Sequence, residues 1–128
     1  MKIQTIEKNG IRIACVTSSK IVISDVSSAL DFMMSIHHKT GSRCIALNKK
    51  AIDDNFFRLG TNIAGEILQR FINYRIKMAV YGDFSVYSSK PLKDFIYESN
   101  KGKDFFFVET EAEAVKLLVK AVCGSTQE

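Results

Sequence analysis

The chain has 128 residues and a net charge of +4, with 46% hydrophobic and 25% charged residues, an ordinary globular balance. A chain of this size folds as one domain, expected over residues 1–123 with a frayed tail at 124–128, and needs no disulfide or metal to bury a core. No apolar run approaches the roughly 18–20 residues that span a bilayer, and the opening reads as an amphipathic strand rather than a signal peptide. A soluble, cytoplasmic protein without membrane association is therefore expected.

The pI near 9.0 raises the question of nucleic acid. Lys and Arg are scattered from Lys2 to Lys120, and the densest groups are the pairs Lys49-Lys50 and Lys101 with Lys103. That distribution makes nucleic acid an unexpected partner. The cysteines, at 15, 44 and 123, have no CxxC or Cys-His spacing and read as buried or half-buried thiols rather than zinc ligands.

In chain order, residues 2–7 and 11–17 alternate as strands do, and Lys8-Asn9-Gly10 between them signals a hairpin. Ser24-Asp25 is an N-cap for a helix over 25–38, with Val26, Leu30, Met33, Met34 and His37 at intervals of three and four, and Gly41 as its left-handed C-cap. A strand follows at 43–48. Phe56, Leu59, Gly60, Ile63, Ile67 and Phe71 then share one helical stripe, either as one helix or as a short turn before a main helix at 62–73. Gly60 on that stripe permits close packing on the sheet, and outside the stripe Glu66 with Arg70 has the spacing of an i,i+4 ion pair.

The strand predicted at 76–82 stops at Gly82-Asp83, and Pro91 sits in the first turn of another helix, with Leu92, Phe95, Ile96 and Ser99 inward. Asn100-Lys101-Gly102 ends it. Phe105-Phe106-Phe107-Val108 lacks alternation and reads as a strand buried on both faces. Thr110 to Glu113 forms a capping box for a last helix with Ala114, Val115, Leu118 and Val122 inward. The order ββαβαβαβα predicts an α/β fold: one domain with a mixed, mostly parallel sheet of about five strands that starts with an N-terminal hairpin, and helices packed on it.

Ligands in such folds sit outside the carboxyl ends of the parallel strands. Those ends carry Asn48, Lys49, Asp53 and Asp54, then Asp83, Ser85, Tyr87, Ser88 and Lys90, then Glu109 and Thr110. Asp53, Asp54 and Asp83 together have the oxygen chemistry for Mg²⁺, with Lys49 or Lys90 toward a phosphate. The plainer alternatives are that these acids cap helices and that Gly82-Asp83-Phe84-Ser85 is a tight turn closed by the Asp side chain. His37-His38 sits at a helix end, no glycine-rich phosphate loop is present, and no nucleophile has a His and acid partner in a motif. On the fourth-strand side the helix from Pro91 presents Lys93, Asp94, Tyr97, Glu98 and Lys101 outward, a mixed face with an aromatic that suits a protein partner.

The element order resembles the sulfate-transporter and anti-sigma-antagonist (STAS) domain, a regulatory protein-binding module in which an Asp-Ser pair after the third strand is switched by phosphorylation. The matching stretch here is Ala51-Ile52-Asp53-Asp54-Asn55-Phe56, with Asp54 or Asn55 in the place of the Ser and Thr61 the nearest downstream hydroxyl, so the phosphoswitch is not carried over. The runs Phe56-Phe57, Ala64 to Gln69, Gly82 to Ser85 and Asp94 to Gly102 are similar to a bacterial family catalogued only as domain of unknown function 4180, a likeness that covers nearly the whole chain and implies no activity. The expected role is a non-enzymatic regulatory module without cofactor that binds another protein through Asp53, Asp54, Thr61, Asp83, Ser85, Tyr87, Lys90, Lys93, Asp94 and Tyr97. The alternative is a small-ligand or nucleotide binder, including a Mg²⁺-dependent enzyme, using the strand-end acids.

Overall fold

The computed structural model describes residues 1–123; the expected frayed tail at 124–128 lies outside the described residues. Among them the chain forms five strands and four α-helices: β1 (Lys2–Lys8), β2 (Ile11–Thr17), α1 (Val26–Thr40), β3 (Cys44–Asn48), α2 (Ile63–Asn73), β4 (Lys77–Tyr81), α3 (Lys90–Lys101), β5 (Phe105–Val108) and α4 (Glu111–Cys123). The strands lie in the order β1-β2-β3-β4-β5, with β1 antiparallel to β2 and every other pair parallel. The hairpin turn places Asn9 and Gly10 both at positive φ (53° and 79°), as a tight two-residue connection demands. No helix among the described residues is long and apolar enough to cross a membrane.

Each strand sends alternate side chains to opposite faces, and the two faces differ in bulk. Val16, Ile45, Leu47, Met78, Val80, Phe105 and Phe107 meet α1, α2 and α3 in the larger core. Ile13, Cys15, Cys44, Ala46, Ala79 and Phe106 face α4, which contributes Ala114, Val115 and Leu118. The small residues on the second face let a single helix lie close across the strands, while the larger ones fill the space under three. Burial leaves the Cys15 and Cys44 thiols protonated, with pKa values pushed up by desolvation first.

Asp25 caps α1 through the Ser28 amide at 2.8 Å, and Ser28 returns the bond in a capping box. Gly41 closes the helix at φ 73°. The buried stripe of α1 is Ala29, Phe32, Met33 and Ile36, one step round from the expected line: Val26 and Leu30 pack at its border and Met34 is 39% exposed. The run Phe32-Met33-Met34 fits either stripe, and burying Phe32 and Ile36 removes more apolar area than burying Met34 beside the polar ring of His37. Two short 3-10 turns, Asp54–Phe57 and Leu59–Thr61, precede α2, so the turn-then-helix alternative is the one realised. Gly60 lies exposed in the second turn with no atom within 4 Å of where a Cβ would stand, and therefore has no part in sheet packing. The ion pairs found among the described residues do not include Glu66–Arg70.

The free side of β5 is closed by a side chain. Asn100 donates from Nδ2 to the Phe107 carbonyl at 3.0 Å and accepts from the Phe107 amide at 2.8 Å, a substitute for a sixth strand. Asn100→Ala leaves both groups without that partner and is expected to lower stability by about 1–3 kcal/mol in denaturant unfolding, whereas Lys93→Ala on the exposed face of the same helix changes it by less than about 0.5 kcal/mol.

Candidate functional site at the carboxyl ends of the strands

The parallel strands β2 to β5 end on one rim, and two side chains there set its shape. β3 runs out at Asn48, whose amide accepts from the Ser18 N–H at 2.9 Å and donates to the Ser18 carbonyl at 2.8 Å. The segment after β2 is thereby held beside the segment after β3, and a bridge between Ile23 and Ile52 continues the contact. Lys49 follows and crosses the end of β4 at Gly82. A Cβ on Gly82 would stand 2.6 Å from the Lys49 Cβ, so glycine is what lets the lysine stem pass. Its Nζ then lies 4.7 Å from the Tyr87 ring centroid and 5.7 Å from that of Phe84, cation–π contacts of about 0.5–2 kcal/mol.

Two of the acids, Asp53 and Asp83, serve their own turns. Asp53 accepts from the Asn55 amide at 2.8 Å and caps the turn Asp54–Phe57. Asp83 accepts from the Ser85 amide at 2.9 Å and from the Ser85 hydroxyl. Those bonds, led by the hydroxyl and aided by the nearby Lys49 charge, hold the Asp83 carboxyl below its ordinary pKa. Thr61 donates to the Arg58 carbonyl at 2.8 Å and accepts from the Ile63 amide at 3.3 Å. It does the capping that Asn62, itself at φ 66°, does not do with its side chain. Among the described residues no group of three or more His, Cys, Asp or Glu is placed to share a metal ion, so Asp53, Asp54 and Asp83 are not brought together as one ligand set.

Among the described residues, three of the open clefts lie along the rim. The largest, about 700 Å³, runs between the Asp54–Leu59 turns and the 86–89 loop; its lining includes Lys49, Asp54, Arg58, Val86, Tyr87 and Ser89. A second, about 500 Å³, shares Lys49 and Asp54 and adds Ile21, Lys50 and Asp53. Asp83 and Ser85 line a third with Phe84, Ile96 and Glu109. The Tyr87 ring stacks on Phe57 at 5.2 Å, and among the described residues its buried hydroxyl has no hydrogen-bond partner. Desolvation, with a smaller contribution from the Asp54 charge, pushes that phenol above its ordinary pKa.

Lys90, Lys93, Asp94 and Tyr97 belong to α3 and line none of these three clefts. Lys90 pairs with Asp94 at 3.0 Å, and Lys101 sits 4.3 Å over the Tyr97 ring, which is 62% exposed. Sequence reasoning missed Ile21, Arg58 and Val86 as rim residues, and it read Gly82 as a turn former rather than as the gap through which Lys49 passes. The only sequence signal for the latter is the adjacency of Gly82 to the end of an apolar strand.

Two outcomes test this geometry. Gly82→Ala must displace the Lys49 stem and is expected to cost about 1–3 kcal/mol by equilibrium unfolding. The depressed Asp83 pKa adds stability that is complete above the ordinary value of 3.8 and is lost as pH falls through the lower folded value. The stability gap between wild type and Asp83→Ala is thus constant near neutrality and narrows below about pH 4 in denaturant titrations at stepped pH.

The chain matches the family model described as Domain of unknown function (DUF4180) over residues 8–118. No curated protein and no solved structure matches it. The runs Phe56-Phe57, Ala64 to Gln69, Gly82 to Ser85 and Asp94 to Gly102 all fall inside the matched span, which takes in β2 to β5 with the whole rim, and the protein belongs to the DUF4180 family.

Proposed function

We propose that the protein is a cytoplasmic, non-enzymatic regulatory module that binds another protein through the rim at the carboxyl ends of its parallel strands. The observation that carries this reading is the pair of exposed apolar side chains on either side of Lys49. Ile21 is 54% and Val86 65% exposed, each lining a cleft that Lys49 also lines. Apolar groups ringed by Lys50, Asp54 and Arg58 have the make-up of a protein contact, an apolar centre with a polar border. Of the three acids that a metal would recruit, Asp53 and Asp83 are engaged by their own turns, and the three are not gathered as one ligand set. The STAS-like element order is in keeping with a regulatory binding role, and Tyr97 on α3 offers further contact area beside the rim.

A second reading, a small-ligand or nucleotide site in the largest cleft, draws on one observation, the unpartnered hydroxyl of Tyr87. The two are separated by Ile21→Asp/Val86→Asp. Under the protein-binding reading, a partner retained from native-cell extract by immobilised wild type is lost by the double variant while its melting temperature is unchanged. Retention by both proteins would contradict binding through Ile21 and Val86, and a ligand-induced melting shift abolished by Tyr87→Phe would favour the second reading.

A further inference from the structure

The opposite ends of the same strands gather cations that are far apart in the sequence. Arg12 stands near the start of β2, Arg43 just before β3, and Arg75 and Lys77 before and at the start of β4. Parallel pairing without offset, Cys44 opposite Lys77, brings them to one end. All four line a single cleft of about 370 Å³, with Ile11, Cys44 and Val122 supplying apolar wall. Among the described residues no acidic side chain lines it.

Part of this charge has a structural task. Arg12 donates to the Thr40 carbonyl at 3.1 Å, at the C-terminal end of α1, and Arg43 to the Tyr74 carbonyl at 2.9 Å, just past the end of α2, where helix carbonyls lack partners and carry partial negative charge. Lys77 donates to the Lys103 carbonyl at 2.8 Å. Each bond fixes its cation in place, and each guanidinium keeps further N–H donors. Arg75 has no such task. It sits at φ 59°, a left-handed position at which glycine is at ease, and among the described residues its side chain makes no hydrogen bond or ion pair.

The acids nearest these cations stand outside them. Glu7 on β1 is 3.4 Å from Arg12, and Asp104, just ahead of β5, is 3.4 Å from Lys77. The cations therefore occupy the three inner strands and the acids the two outer ones. A positive centre bounded by acids on both sides suits one compact anion, not a nucleic-acid backbone that must track a continuous basic stripe. Planar guanidinium forks match phosphate oxygens in pairs.

We propose that this cleft binds the phosphate group of a small phosphorylated molecule through Arg12, Arg43, Arg75 and Lys77, with the rest of the ligand against Ile11 and Val122. The site is separate from the rim and does not depend on the protein-binding reading. The test is thermal unfolding and calorimetric titration of the full chain with adenosine monophosphate and with pyrophosphate.

Saturable binding of either is expected, weakened about tenfold or more in Arg75→Gln and, independently, in Arg43→Gln, partly restored in Arg75→Lys, and unchanged in Lys116→Gln on the exposed face of α4. Variant melting temperatures without ligand control for folding. Absence of saturable binding by wild type at millimolar probe, or equal binding by both glutamine variants, overturns the proposal. So does tighter binding of a single-stranded oligonucleotide with a steep salt dependence, which would assign the cations to nucleic acid.

Discussion

Phe107 is the point at which the sheet, the rim and α3 are joined. Its ring lies 5.3 to 6.2 Å, centroid to centroid, from those of Phe105, Phe84, Phe95, Phe56 and Phe57. Aromatic pairs at such separations contribute about 0.5–1.5 kcal/mol each beyond the area they bury. The backbone of Phe107 is clamped from outside by Asn100, so the ring has a fixed origin. From it hang the turn that carries Asp54, the loop that carries Tyr87 and the inner face of α3. This packing and the Asn48 hydrogen bonds to Ser18 together shape the rim, and Lys49 is laid on the aromatic layer through the gap at Gly82.

Parallel strands sort the remaining chemistry into two ends. Loops that leave the strands form the rim, with mixed charge, exposed Ile21 and Val86, and Asp53 and Asp83 spent on their own turns. Segments that enter the strands form the cationic end, where Arg12 and Arg43 answer the carbonyls of helix termini and Arg75 has no partner among the described residues. The antiparallel β1 joins that arrangement by pairing Glu7 opposite Arg12. A net charge of +4 is thus distributed unevenly in space although it is even in sequence.

The sequence made legible whatever local chemistry decides. Asn9-Gly10 specifies the hairpin, Asp25 and Gly41 bracket α1, Pro91 opens α3, and Phe105 to Val108 reads as doubly buried because no polar residue interrupts it. The turn of Asp83 onto Ser85 was also foreseeable, since an Asp after a Gly at a strand end bonds its own backbone readily. Side-chain choices between equally apolar alternatives were not. The stripe of α1 was set by what Phe32 and Ile36 could fill against the sheet. Gly60 shares the period of the α2 stripe, yet the break at Asn62 puts it on a separate turn. Arg12, Arg43 and Arg75 are more than thirty positions apart, so their meeting is a property of strand register and no window of sequence contains it.

The central claim is that Asp53 and Asp83 serve their own turns and that the rim faces a protein rather than a metal-bound phosphate. Backbone amide NMR of the full chain, titrated with Mg²⁺ and adenosine monophosphate together, tests it most directly. Amides of residues 53–55 and 83–85 are expected to hold their positions, while those of 11–12, 41–44 and 75–77 move. Saturable shifts at 53–55 and 83–85 that require Mg²⁺ would contradict it.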